Sequence, residues 1–275
     1  MRRKIKTVAI ALPIIVLLLF SYELLWGKLF AYSPVKVGFI KHELSNIVVF
    51  IEKGSTFSNY EAIDTLIPSI EEFHALGFKS KPEISIFSDE ASYHQRSISG
   101  ARLFVYPNGC LLVAPWAIKE ASEGKISLEI YLRHELSHTL LYQHMSKLAA
   151  YYYYPRWLLE GIAVSSSRQM GTSWYPGKEE TYEYIRQGNY LSPIYMNTSK
   201  EDEAKLNVKY KTTFMYSEAA CIVEYLMDVY GRDRFDQYVK QLLVSVNHDK
   251  TFKTVYGIEF EKCLQNFIQH VKGDI

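Results

Sequence analysis

The chain has 275 residues, 48% of them hydrophobic and 22% charged, enough for one globular unit of one or two lobes with a sizeable core. A formal net charge of +1, with no Lys/Arg cluster beyond the first few residues, leaves no electrostatic footprint for nucleic acid. Aromatic residues reach 15%, which suits an extracytoplasmic domain with wet, amphipathic surfaces.

At the N-terminus, Arg2, Arg3, Lys4 and Lys6 precede an apolar run from Val8 to Phe20 that includes Pro13, and apolar character resumes at Leu24, Leu25 and Trp26. Residues 1–30 read as a cleaved signal peptide or as an uncleaved anchor of about 20 residues. No A-x-A-like site follows the run, and Ala31 and Ser33 lie late, just before Pro34. This context favours a retained single-pass membrane anchor over secretion after cleavage. Either way the basic end stays in the cytoplasm and the remainder is exported.

Asn46 to Glu52 is rich in β-branched residues and predicts a strand, while Ile63, Leu66, Ile67 and Ile70 predict a helix over Tyr60 to Ala75. Pro82 to Ser88 predicts a second strand. Arg102 to Tyr106 and Cys110 to Ala114 flank Pro107-Asn108-Gly109, a hairpin signal.

The next stretch carries the chemistry. Leu128, Leu132, Leu136 and Leu140 repeat every four residues, and no Gly or Pro interrupts Ile126 to Ala150, so the segment reads as helix. Within it stands His134-Glu135-Leu136-Ser137-His138, an H-E-x-x-H. Positions i and i+4 share a helix face, so both imidazoles can grip one metal ion. Glu135 is rotated by about 100°, where its carboxylate reaches a metal-bound water without binding the metal.

A catalytic zinc normally has three protein ligands, and the candidate for the third is Glu160, in Pro155-Arg156-Trp157-Leu158-Leu159-Glu160-Gly161-Ile162-Ala163. Pro155 suits the first position of a new helix. A helix running about nine residues past His138 advances about 14 Å, and residues 148–154 can span about 23 Å on the way back. The second helix can therefore bring Glu160 beside the imidazoles.

H-E-L-S-H followed by P-R-W-L-L-E-G-I-A resembles the gluzincins, zinc metallopeptidases in which a Glu on a second helix completes a His, His, Glu site. It looks most like the peptidase MA-like group, related to the aminopeptidase branch, with its W-L-x-E-G-x-A segment. The match covers roughly Ser127 to Val271, because Tyr216-Ser217-Glu218-Ala219-Ala220 through Tyr230-Gly231 resembles that group's downstream helix. One departure is that the interval from His138 to Glu160, with its tyrosine run Tyr151 to Tyr154, is longer than in the better-known gluzincins. The resemblance implies one Zn2+ per chain on His134, His138 and Glu160, and a peptide or protein substrate. It also implies that Tyr216 donates a hydrogen bond to the oxygen that gains charge during hydrolysis. Tyr216 also falls on a helical apolar stripe with Ala220, Val223, Met227 and Tyr230, so a plain core role stands beside the catalytic one; Tyr210 is a weaker candidate. The order strand, helix, strand, hairpin, motif helix resembles the gluzincin order as well. By that resemblance Cys110 to Ala114 is the edge strand offered to substrate, an ordinary core hairpin being the other reading.

Beyond Ser167, Gly171, Pro176, Gly177, Gly188 and Pro193 cut the chain into short pieces, one of them the helical stretch KEETYEYIRQ, and Thr198 to Lys205 is polar and expected to be exposed. Helices are expected over Thr213 to Tyr230, Arg232 to Val246 and Glu259 to Val271. Cys110, Cys221 and Cys263 lack ligand spacing; Cys221 with Cys263 is the expected pair if any forms, and buried free thiols are the alternative. His42, His74, His94, His144, His248 and His270 have no partner at ligand spacing.

The expected fold is α+β: the anchor at 1–30, an α/β lobe at 35–168 in which a small mixed sheet with an edge strand packs on the motif helix, and a mainly helical lobe at 169–275. The expected function is a membrane-anchored zinc metallopeptidase acting outside the cytoplasm, with Glu135 as the general base. Its rival is an anchored envelope protein that uses a zinc site for structure or binding. Oligomeric state stays open.

Overall fold

The computed structural model describes residues 2–146, 154–193, 203–245 and 247–273, with side chains from Leu12 onward. The fold is α+β, a five-stranded mixed sheet followed by a mainly helical lobe. Helix α1 (Arg2–Leu25) leads into a short turn whose Phe30 and Ala31 are buried against Phe87, Tyr93 and Tyr106. Lys28 Nζ donates to Ser97 O at 2.7 Å, and Gln95 Nε2 to the Tyr22 hydroxyl at 2.9 Å, so the end of α1 is fastened to the folded body. Leu12 to Phe20 are exposed. The side chains of the expected anchor before Leu12 lie outside the described ones, and among the described residues no helix is long and apolar enough to cross a membrane.

The sheet contains β1 (Phe39–Glu43), β2 (Val48–Glu52), β3 (Glu83–Ile86), β4 (Leu103–Val105) and β5 (Leu111–Val113), in the order β1-β2-β3-β5-β4. β2, β3 and β5 are mutually parallel, while β1 and β4 run antiparallel to their neighbours. The expected hairpin forms, with Gly109 at φ 83°, a value open to glycine without a Cβ clash. Its edge is the opposite arm from the one expected. Both sides of β5 are paired, to β3 and β4, so the strand within Cys110 to Ala114 is interior and β4 is the edge. The unbroken apolar run Leu111-Leu112-Val113, buried at every position, is the pattern of a strand covered on both faces.

The helix expected over Tyr60 to Ala75 is two pieces, α2 (Glu61–Asp64) and α3 (Ile67–His74). Pro68 has no N–H to return to the preceding turn. The Asp64 carboxylate instead takes the backbone N–H of Asn46 at 2.7 Å and of Ile47 at 3.1 Å, tying the break to the start of β2. α4 (Glu90–Arg96), capped by Asp89 accepting from Ser92 N, and α5 (Pro115–Ser122) complete this part. Strand β1 carries Lys41, His42 and Glu43 and is largely exposed, so it lacks the apolar alternation that would have announced it.

Helix α6 (Leu128–His144) starts on Ser127, whose hydroxyl accepts from Ile130 N, and stops short of Ala150 at an extended Met145. Gln143 bonds the backbone of Lys79 and Ser80, and His144 Nε2 lies 2.8 Å from Gly77 O; these contacts hold the helix end against the loop before β3. Tyr151 to Tyr153 lie outside the described residues. Leu132 and Leu136 face the sheet among Ile84, Ile86 and Val113. Truncating Leu136, fully buried, to Ala would cost about 2–5 kcal/mol through lost burial and the cavity left behind.

The helical lobe contains α7 (Arg156–Ser167), α8 (Lys178–Arg186), α9 (Lys211–Tyr230), α10 (Arg232–Ser245), α11 (His248–Tyr256) and α12 (Phe260–Lys272). Trp157, Ile162, Phe214, Leu226 and Phe267 share its core. α7 and α9 pack closely because Gly161 has no side chain: a Cβ there would lie 2.6 Å from Ala219 O. Cys110, Cys221 and Cys263 are free and buried, so the pairing of Cys221 with Cys263 does not form; Cys221 Sγ lies instead 3.8 Å from Met170 Sδ. Of the polar stretch Thr198 to Lys205, residues 198–202 lie outside the described ones.

Candidate metal centre

Helical periodicity places the sheet-facing leucines of α6 on one side and His134 and His138 on the other, turned towards α7. α7 begins after Pro155, whose extended backbone precedes the first helical residue, Arg156, and its first full turn delivers Glu160. His134 Nε2 and His138 Nε2 lie 3.2 Å apart, and Glu160 Oε2 lies 3.3 Å from the first and 3.5 Å from the second. These three residues form the metal-type cluster found among the described residues.

The donor triangle fits zinc. Ligand atoms held tetrahedrally at about 2.0–2.2 Å from zinc are separated from one another by about 3.3–3.6 Å. Two imidazoles and one carboxylate are a donor set that zinc accepts with one position left open. The tautomer of His134 is set from outside the triangle: its Nδ1 lies 2.8 Å from Gln169 Oε1, which can only accept, so the lone pair sits on Nε2. Gln169 reaches it because α7 ends at Arg168 with φ 56°, and the Gln169 N–H returns to Val164 O at 3.0 Å. Gln169 is 1% exposed, which protects the bond from water. His138 Nδ1 is buried with no partner among the described residues.

Glu135 and Tyr216 line the same cleft, about 420 Å³ in volume, together with β4. Burial pushes the Glu135 carboxyl up, an effect that the Glu160 charge reinforces and the two histidines oppose. Burial also acts on Glu160, but hydrogen bonds from His134 and His138 outweigh it and hold that carboxyl well below the usual carboxylate range. The Tyr216 ring is half-buried on α9 and stacks on His134 at 6.5 Å, and its hydroxyl accepts from Arg156 Nη2 at 2.9 Å. Burial first, then the Glu160 charge, raises the Tyr216 phenol and keeps it protonated. Tyr216 lies in the second turn of α9.

Tyr210 is the N-cap of α9, exposed, with Lys209 over its ring at 4.8 Å, and it does not line this cleft. Tyr175 does, 6.5 Å from the Tyr216 ring. It lies in the Gly/Pro-cut loop 171–177, where no periodicity reports side-chain direction. Of the other histidines, His74 is buried behind α6 with Nε2 2.8 Å from Ser137 Oγ. Burial, followed by the Arg232 charge, lowers His74 to about 3, so it stays neutral and structural.

No protein-family model matches this sequence, and no curated protein matches it. Among solved structures the chain is similar to a mutant two-domain M1 zinc metallopeptidase bound to L-arginine, at 14% identity and a TM-score of 0.46. It is also similar to the M1 zinc metallopeptidase from Deinococcus radiodurans, at 14% identity and a TM-score of 0.42. In both, 83% of this chain is covered, and it spans 50% of the other. At that distance the site has to be read from its own residues.

Proposed function

We propose that this chain is a zinc metallopeptidase. The observation that carries the proposal is the triangle of two imidazole nitrogens and one carboxylate oxygen with edges of 3.2, 3.3 and 3.5 Å, beside a free carboxylate in an open cleft. When bound, zinc supplies Lewis-acid polarisation and makes a water acidic near neutral pH. Glu135 accepts the proton of the attacking water and passes it to the departing amine. Tyr216 donates its hydroxyl hydrogen to the substrate oxygen that gains charge. Because Arg156 donates to the same phenol oxygen, the phenol's own hydrogen is turned away from Arg156. An extended peptide would add to the free edge of β4, which lines the cleft through Leu103, Phe104 and Val105.

The proposal extends to location. The exposed apolar side chains from Leu12 to Phe20, preceded in sequence by Arg2, Arg3, Lys4 and Lys6, suit a membrane with the basic end in the cytoplasm and the metal centre outside. A secreted form cleaved near Pro34 is the alternative. Hydrolysis is tested with internally quenched peptides and zinc-loaded chain. Turnover that disappears in Glu135→Gln at unchanged zinc content is expected; equal turnover by Glu135→Gln would remove Glu135 as the base.

A further inference from the structure

Arg156 stands at the mouth of the cleft, one helical turn before Glu160, with 48% of its side chain exposed. Its Nη2 donates to Tyr216 Oη at 2.9 Å and its Nε lies 3.7 Å from Glu160 Oε1. Among the described residues its Nη1 has no hydrogen-bond partner and is left for a ligand.

The charge around it is unbalanced in one direction. Among the described residues the only carboxylates lining the cleft are Glu135 and Glu160, and the hydrolytic reading occupies both. Nothing there remains to pair with the ammonium of a peptide N-terminus. The other lining arginine, Arg102, is already matched, bonded twice to Glu120 and covered by the Trp174 ring at 4.6 Å. Of the two lining arginines only Arg156 keeps an uncommitted donor, Nη1 on a half-exposed guanidinium, which fits a carboxylate oxygen.

We infer that Arg156 selects substrates bearing a carboxylate within about two residues of the bond that is cut, since the reach from Glu160 across the guanidinium to a bonded carboxylate is about the length of two extended residues. The carboxylate is either the peptide C-terminus or an Asp or Glu side chain. This rests on the peptidase reading for its meaning, but the binding it requires stands apart from turnover.

The test uses full-length, zinc-loaded protein in detergent, with Glu135→Gln to stop turnover, titrated calorimetrically with short N-acetylated peptides. One peptide ends in a free carboxylate, one is amidated with Glu scanned along its length, and one is amidated with Gln in its place. At least one carboxylate peptide is expected to bind about tenfold more tightly than the neutral peptide, and which one identifies the source of the carboxylate. Adding Arg156→Gln should erase the difference at unchanged zinc content, and Arg156→Lys should keep part of it. Equal affinities, no measurable binding of either carboxylate peptide, or a preference that survives Arg156→Gln would overturn the inference. If the binding preference holds while protein with native Glu135 cleaves none of the peptides, the hydrolytic reading fails and the carboxylate site stands.

Discussion

Gln169 accepts a hydrogen bond from His134 Nδ1 at 2.8 Å and thereby turns the ring's other nitrogen, lone pair outward, towards His138 and Glu160. A residue beyond the end of α7 thus fixes the tautomer of a ligand on α6. Gln169→Ala should weaken zinc binding by about 10- to 100-fold, the usual effect of losing a partner that orients a metal-binding His. Competition against a chelating dye measures it. Unchanged zinc affinity would show that burial alone holds the ring.

Tyr216 and Tyr175, both lining the cleft, make separable predictions. If Tyr216 is the donor to the developing charge, Tyr216→Phe should lower kcat by about 100- to 1000-fold at unchanged zinc content. Tyr175→Phe should change kcat by only a few fold, since its ring is placed beside Tyr216 and not against the histidines. Steady-state kinetics on one quenched peptide distinguishes them, and the reverse ranking would assign the role to Tyr175.

Gly161 follows the ligand Glu160 and sits where α7 meets α9. In Gly161→Ala the methyl would meet Ala219 O at 2.6 Å and Val223 Cγ2 at 3.0 Å. Alanine favours helix over glycine by about 1 kcal/mol, but overpacking against backbone costs about 1–3 kcal/mol, so a net loss of stability is expected. Because the two helices carry Glu160 and Tyr216, their separation should also lower activity. Urea unfolding at fixed zinc reads the first effect; a stabilised variant would show that the helices have slack.

How much of this was legible in the sequence follows from where periodicity reaches. His134, His138 and Glu160 lie on helices, where spacing dictates direction, and the structure brings all three together. The hairpin at Pro107-Asn108-Gly109 was legible from its turn chemistry, but which arm lies at the edge depends on β5 pairing with distant β3, and nothing in the hairpin itself encodes that. Gln169 and Tyr175 sit past the last turn of α7, where a residue at φ 56° and several Gly and Pro positions reset the chain direction. α11 is too short for its apolar spacing to announce a helix, although Asn247 accepting from Lys250 N and Gly257 at φ 75° mark both ends.

Retention in the membrane gives a further test. Cells expressing the chain should hold it in the membrane fraction with its original N-terminus, and protease added outside should reach the domain. Intact N-terminal sequencing of the fractionated protein decides this. A soluble form beginning near Pro34 would replace the anchor with secretion.

The central claim is that His134, His138 and Glu160 hold one zinc ion, and elemental analysis of purified chain tests it most directly. About one zinc per chain is expected in the parent and in Glu135→Gln, none in His134→Ala, and a large loss in Glu160→Ala. Full zinc occupancy in Glu160→Ala, or a parent that binds no zinc when it is supplied, would contradict it.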